Sequence, residues 1–443
     1  MLGPVKIKGK VTGFRRSEKL EIGAENYFEA FYELGKKVAT LVQEQYKNFI
    51  ADFDEKKLAQ EIARGHERLD YMEKLSNAGA FKIDGVNYLQ RYLSAFYGTA
   101  QGVGLTYPES MMMQMETIGC QTIMVQDKKT GVVRMVHAEE DSSFSRFGKE
   151  KYRYRVVDIK TGTTKVKFYY YPELFGWGPA IGITETTGMV LCIDDLIPTK
   201  KYSTGNFTSM AVAFMMLDCG DLKIVDQIMD RLRSVDGLKL EGGYAIHMAQ
   251  ADEEKPVMRS AECIYDRFEY IEPVVSAGRN IIAQSNCPIN EDLKFMASAA
   301  VPEKGKWNFN DVRLYVEMRE RRIRMLRQAK ETKWLKKSAQ NSVEAGLKLL
   351  ALPEGDVNEY IDAKGKIHKY ITGLPSRWVL AHFSCFVGKK KLYYQIGKFL
   401  PKPIKGKEYS IKYRGDYAFK GKNVNAVAIE ELMAYKKRTS EKA

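Results

Sequence analysis

From residue 20 to residue 105 the apolar positions recur at intervals of three and four, the spacing of one helix face. Tyr27, Phe28, Phe31, Leu34, Val38, Leu41, Val42 and Tyr46 form the first such stripe. A charged helical stretch follows over 55–75, and a third helix over 86–100 carries Tyr88, Leu89, Tyr92, Leu93 and Phe96 toward a core. At Gly119 the texture changes. Residues 120–125 form a short apolar strand, Asp127-Lys-Lys-Thr-Gly131 a turn, and 132–137 the returning strand. A second hairpin is predicted over 153–171, with Lys160-Thr-Gly-Thr at its tip. Strand patterns continue at 180–184, 189–193, 244–249, 258–264 and 280–284, and helical ones at 210–217 and 222–232. Residues 311–350 read as a long helical region, before strands at 379–387, 391–396 and 409–413.

Segregated runs of helices and strands predict an α+β protein with largely antiparallel pairing. There is no internal repeat and no low-complexity linker. Residues 1–119 therefore read as a helical N-terminal segment, and residues 120–443 as one further domain. Composition changes this picture little. The chain of 443 residues is 44% hydrophobic and 28% charged, ordinary for a globular protein. No apolar run reaches the ~18–20 residues that a membrane span needs. The start, Met-Leu-Gly-Pro-Val-Lys, lacks the features of a secretory signal, so a cytoplasmic protein with no membrane partner is expected.

Charge and cysteine placement are more informative. The net charge is +14, and residues 389–443 hold fifteen Lys/Arg against five Asp/Glu, so most of the excess lies at one end. Tyrosines 393, 394, 409, 413 and 417 interleave with those lysines. Such an end is a solvated surface, or the footprint of a basic, non-enzymatic nucleic-acid-binding protein. The six cysteines stand far apart and none forms a C-x-x-C pair, which excludes zinc knuckles and redox dithiols. The histidines at 66, 137, 247, 368 and 382 show no metal-ligand spacing and read as structural, with His247 a poor candidate to face a site across the sheet.

One segment points to chemistry. In Thr117-Ile-Gly-Cys-Gln-Thr-Ile-Met-Val a cysteine opens a strand directly after a glycine. Gly119 leaves the backbone free to bring its carbonyl against the neighbouring thiol. Attack by Cys120 on that carbonyl, followed by water, would cut the chain. It would also leave a cysteine with its own α-amine, a group that titrates near ~8 and serves as a general base.

Gly119-Cys120-Gln-Thr, a turn, and then Val136-His-Ala-Glu-Glu-Asp141 resembles the opening hairpin of the N-terminal-nucleophile (Ntn) cysteine hydrolases. The likeness is to the isopenicillin-N acyltransferase and choloylglycine hydrolase type. Leu174-Phe-Gly-Trp-Gly-Pro-Ala-Ile-Gly-Ile-Thr-Glu-Thr-Thr-Gly-Met is similar to that family's glycine-rich entry to its next hairpin. Ile282-Ala-Gln-Ser-Asn286-Cys-Pro288 resembles its Asn-x-Pro segment, Arg319-Glu-Arg-Arg-Ile-Arg its helix arginine, and Leu380–Lys398 its paired C-terminal strands. The resemblance spans roughly 119–400.

That resemblance implies a four-layer αββα Ntn-hydrolase sandwich, two antiparallel sheets between helices, preceded by the helical segment. It implies an autoproteolytic amidase or acyltransferase that cleaves a linear C–N amide bond through a Cys120 acyl-enzyme. Cys120 would be the nucleophile and Asp141 would orient its freed amine. Asn286 would donate to the oxyanion, and Arg319, or Arg321 or Arg322 beside it, would support the site. No metal or redox cofactor is implied, and an acyl-CoA would enter only as co-substrate of an acyl transfer. The implied partners are a small-molecule amide, the two associated fragments and, compatibly, further copies of the chain. Two departures stand out. Ala138 and Glu139 occupy positions where the family commonly has Arg or Gln followed by Asn, and Tyr315 and Val316 lie where it has a serine before the helix arginine.

Overall fold

The turn at 127–131 sets the register of everything around it. Asp127 accepts hydrogen bonds from the Thr130 amide (2.7 Å) and hydroxyl (2.9 Å), and Gly131 takes the left-handed conformation (φ +72°) that closes the loop. In the computed structural model the described residues are 5–12, 19–24, 26–51, 53–113, 119–140, 155–161, 164–170, 181–196, 198, 200–297, 322, 325–351, 357–361, 367–371 and 379–397. Among them the turn joins β3 (Gly119–Asp127) to β4 (Val133–Glu140), in the centre of a seven-stranded sheet. With β1 (Lys6–Thr12), β12 (Val274–Ser276), β13 (Arg279–Ser285), β14 (Val379–Gly388) and β15 (Lys391–Gly397), its order is β1-β15-β14-β4-β3-β13-β12.

A second sheet has eight strands. It comprises β2 (Lys19–Ala24), β5 (Arg155–Thr161), β6 (Thr164–Tyr170), β7 (Ile181–Thr184), β8 (Met189–Asp195), β9 (Gly243–Gln250), β10 (Val257–Ile264) and β11 (Arg267–Tyr270). Their order is β11-β10-β9-β8-β7-β6-β5-β2. The chain is therefore α+β, and the expected strands that fall within the described residues recur with boundaries shifted by a few residues.

Alternation along the strands places the two sheets face to face. On β8, Cys192 and Asp194 point toward β3 and β4, with Cys192 Sγ 3.4 Å from Met135 Sδ. Leu191 points the other way and pairs with Gly182, where any Cβ would strike Leu217 at 2.1 Å. That second face is covered by α5 (Ser209–Cys219), apolar all round and buried from Ser209 to Asp218. Phe214 of α5 meets the rings of Tyr27, Phe31 and Tyr92, which belong to α1 (Tyr27–Ile50) and α3 (Tyr88–Val103). Asp218 fixes the contact through Tyr27 and Arg91. α2 (Glu55–Asn77), α4 (Tyr107–Met112) and α6 (Leu222–Ser234) complete the helices near this sheet. The outer face of the first sheet carries its own core. Ile123, Val125, Val136, Ala138, Ile281 and Ala283 pack against Met325, Ala329, Trp334 and Leu335. Over it lies α7 (Ala339–Ala351), where Gly346 approaches Ser384 so closely that a Cβ would sit 2.4 Å from its hydroxyl.

The N-terminal segment departs from the purely helical expectation. Its strand β1 pairs in parallel with β15, and β2 pairs in parallel with β5, so it supplies an edge to each sheet. Residues 82–87, expected within helical sequence, form a two-residue hairpin before α3. The strand expected at 409–413, most of the basic end and residues 311–321 and 323–324 lie outside the described residues, while the rest of the expected helical stretch holds a short helix over Thr332–Leu335 and α7. No helix among the described residues is long and apolar enough to cross a membrane.

Candidate active site

With Asp127 bonded to Val132 across the turn (3.0 Å), the hairpin pairs Cys120 with Glu139, Thr122 with His137 and Met124 with Met135. These six side chains share the face turned toward the second sheet. Across the gap, β8 brings Asp194, β9 His247 and β10 Ser260, and the registers Cys192–His247 and His247–Ser260 align them.

The result is a chain of polar groups sealed between two sheets. The Cys120 thiol faces Glu139 Oε1 at 3.4 Å, and Glu139 Oε2 lies 2.9 Å from His137 Nε2. His137 Nδ1 is 2.8 Å from the Thr122 hydroxyl, which donates to Asp194 Oδ1 at 2.9 Å. Asp194 Oδ2 meets His247 Nε2 at 3.1 Å, and His247 Nδ1 meets the Ser260 hydroxyl at 2.8 Å. Ser260 is 2% exposed, and Cys120, Thr122, His137, Glu139, Asp194 and His247 are fully buried. Thr122 has one hydroxyl proton. Given to Asp194, it leaves the threonine oxygen to accept from His137 Nδ1–H. With Glu139 ionised, Nε2 donates as well, and the ring is an imidazolium between two carboxylates.

The titration directions follow from these contacts. Burial pushes the Cys120 thiol well above its ordinary range, and the charges of Glu139 and Asp194 add to that. Burial would lower His137, but hydrogen bonds to Asp194 and Glu139 outweigh it and raise the ring to about 9. Burial opposes ionisation of Asp194, yet bonds from His137 and His247 hold it below the usual aspartate value. Glu139 is raised by burial against the pull of His137. The last direction competes with the raised ring, since one favours a neutral carboxyl and the other a charged imidazole. The ring contacts two carboxylates and Asp194 is held low, so a charged His137 is the better-supported state. Glu139 is then the carboxylate more readily protonated.

Asn286 completes the surroundings of Cys120. The ladder of β13 against β3 ends at Ser285–Gln121, two residues short of Cys287-Pro288. Where the next backbone partner would stand, the Asn286 side chain takes over. Its Oδ1 accepts the Cys120 amide N–H at 3.1 Å, and its Nδ2 donates to the Asp195 carbonyl at 2.8 Å. Asn286 is thus brought to Cys120, where its side-chain oxygen holds the cysteine's own nitrogen. Asp141, Arg319 and Arg321 lie outside the described residues. Glu262 of β10 is raised by burial, against the opposing pull of its hydrogen bonds and of half-buried Arg322. Glu262 in turn accepts from Gln284 (2.7 Å) and the Asn290 amide (2.9 Å), which braces the segment carrying Asn286.

Glu139, His137, Thr122 and Asp194 did not emerge as site residues from the sequence reading. The signal for the first three lies in the turn. Once Asp127 and Val132 are paired, counting back places Glu139 opposite Cys120, and His137 two residues before it on the same face. Cys120, His137 and Asp194 each offer a donor atom within 4.8 Å of the others, a sulfur–nitrogen–oxygen set that suits zinc. Both nitrogens of His137 and both oxygens of Asp194 are already engaged by protein groups, so the cluster closes on itself as a charge chain. No family model matches the chain, and no curated protein matches it.

Proposed function

We propose that the chain is a self-cleaving, N-terminal-nucleophile cysteine enzyme that cuts a linear amide, or transfers its acyl group, through Cys120. The observation that carries this reading is the setting of Cys120. It opens a central strand after Gly119, its amide is held by Asn286 at 3.1 Å, and its thiol faces a carboxylate at 3.4 Å. Two facing sheets, with α7 outside one and α5 outside the other, support the four-layer arrangement that the resemblance implies. Cleavage after Gly119 would give Cys120 a free α-amine, and Asn286 would then exchange an amide for that amine. Under this reading the Asn286 amide would also meet the oxyanion, a contact of ~3–4 kcal/mol in the transition state. Water or an amine would resolve the acyl-enzyme.

Intact mass with N-terminal sequencing tests the reading. Wild type is expected to yield two fragments of about 14 and about 37 kDa from the 50.6-kDa chain, the larger beginning at Cys120. The fragments are expected to copurify, because β1 and β2 are hydrogen-bonded into both sheets. Cys120→Ala should remain one chain. An active wild type that stays full-length refutes the mechanism.

A further inference from the structure

The first step of self-cleavage lacks a base if the α-amine is the only one available. Until the chain is cut, the Cys120 nitrogen belongs to a peptide bond and donates its proton to Asn286. It has no lone pair to offer. Burial also keeps the thiol protonated, so a thiolate does not stand ready in advance. Some other group must take the proton as sulfur attacks.

Resting on the self-cleavage reading, we propose that Glu139 is this base, and that His137, pinned by Thr122 and Asp194, is the positioning residue that holds Glu139 ionised and aimed at Cys120. Glu139 Oε1 lies 3.4 Å from Sγ, within thiol hydrogen-bond reach, while its other oxygen is tied to His137 at 2.9 Å. The carboxylate therefore has one oxygen for the proton and one for its orientation. His137 cannot swing away, because Nδ1 is held by Thr122 at 2.8 Å and lies 3.4 Å from Asp194. The elevated Glu139 carboxyl favours the transfer, since a base works best when its affinity for protons approaches that of the donor.

The step balances with water as the only co-reactant. The Sγ–H proton passes to Glu139 Oε1 as the sulfur electron pair attacks the Gly119 carbonyl carbon. A C–S bond forms and the C–N bond to Cys120 breaks. The departing nitrogen takes the proton back from Glu139, which regenerates the carboxylate and leaves a thioester beside a free amine. Water then cleaves the C–S bond, giving the Gly119 carboxylate and restoring the thiol.

The charged and titratable groups that face this pair come from every packed strand. β3 gives Cys120, β4 His137 and β8 Asp194, with His247 of β9 behind Asp194, while Asp195 of β8 and Tyr244 of β9 act on Cys120 or Glu139 from the strand ends. From β14, Phe383 stands beside His137 in the ladder and adds no charge. Loss of the His137 cation should therefore raise Glu139 further.

The experiment follows self-cleavage of full-length chains by intact mass against time, from pH 5 to 9, with and without hydroxylamine. Hydroxylamine intercepts a thioester but cannot make one. Wild type should cleave, with a rate that falls on the acid side as Glu139 is protonated. Glu139→Gln should slow cleavage ~10²–10⁴-fold, the range of general-base contributions, and hydroxylamine should not rescue it. His137→Gln should cleave with its acid limb moved to higher pH, a shift that loss of packing alone would not produce. A Glu139→Gln chain that cleaves within threefold of wild type overturns the assignment while self-cleavage stands. Rescue by hydroxylamine also overturns it, by placing Glu139 at thioester hydrolysis. If Glu139→Gln fails to fold by circular dichroism, Glu139→Asp decides, because it keeps the charge but withdraws the carboxylate by about 1.5 Å. An undiminished rate there refutes the proposal. A wild type that stays uncut at every pH defeats the self-cleavage reading, and this proposal with it.

Discussion

Replacing Asp194 by asparagine would preserve the shape of β8 and remove one charge from between two histidines. The carboxylate accepts from Thr122 at 2.9 Å and meets His247 at 3.1 Å and His137 at 3.4 Å, all fully enclosed. Hydrogen bonds to charged groups contribute about 1.5–3 kcal/mol each, so the gross loss reaches several kcal/mol. Part returns, because the wild-type carboxylate carries a desolvation cost and asparagine keeps one acceptor. Breaking a buried ionic network by removing one partner typically costs about 3–5 kcal/mol. At roughly 2 °C per kcal/mol for a large chain, Tm should fall by about 6–10 °C.

The pH dependence carries the sharper test. Asp194 is depressed, so its contribution is present above the ordinary aspartate pKa and is lost as pH falls through its lower folded value. His137 is raised from 6.5 to about 9, so its contribution is complete below 6.5 and is lost as pH rises through about 9. The two windows overlap between about pH 5 and 6.5. There the deficit of Asp194→Asn should be greatest, and by pH 9.5 it should have narrowed markedly. Calorimetry at pH 5.5, 7 and 9.5 measures this, with both chains carrying Cys120→Ala so that each melts as one covalent species. A deficit below about 2 °C, or one constant from pH 5.5 to 9.5, refutes the charged-network account.

Asn286→Ala should slow both self-cleavage and turnover by ~10²–10³-fold, because the side chain holds the Cys120 amide nitrogen and, under the proposed function, would meet the oxyanion. Single-turnover kinetics on an identified amide checks this, and near-normal kcat removes Asn286 from the mechanism. In freshly made, uncut chain, limiting iodoacetamide followed by peptide mapping should label half-buried Cys287 before Cys120, which is fully buried with its thiol raised. After cleavage the order should reverse, since the new ammonium beside Cys120 favours its thiolate; Cys120 labelled first in the uncut chain would contradict the described burial.

Element type and the local hairpins were legible where the pattern was local. The 127–131 turn, the all-apolar run of α5 and the alternation on β3 and β4 each carry their own signal. The edge strands β1 and β2 were not legible, because each is defined by a parallel partner well over 100 residues away in sequence. Local propensity cannot express such pairing. The site divides along the same line. Cys120 and Asn286 stood out by their neighbours, and Glu139 was recoverable from hairpin register. Asp194 and His247 sit in runs that read as ordinary buried strands, Leu191-Cys-Ile-Asp-Asp and Tyr244-Ala-Ile-His-Met. Only the meeting of two sheets reveals that Asp194 reaches Thr122 and His137, with His247 bonded behind it.

That division has a mechanistic consequence under the proposed function. The nucleophile and base lie on one hairpin, which forms from nearby residues. The groups that charge and hold the base, Asp194 and behind it His247, arrive from the other sheet. A hairpin formed alone would have Cys120 and Glu139 in water, where an uncompensated glutamate is a weak base for a thiol. Closure of the two sheets excludes water, raises Glu139 and supplies the His137 cation together. Competence to cut is thus coupled to tertiary assembly rather than to hairpin formation. The N-terminal segment enters the same coupling, because its strands extend both sheets and α1 and α3 cover α5. A chain that cuts itself only after this segment has docked keeps it afterwards, since the β1 and β2 hydrogen bonds do not depend on the Gly119–Cys120 bond.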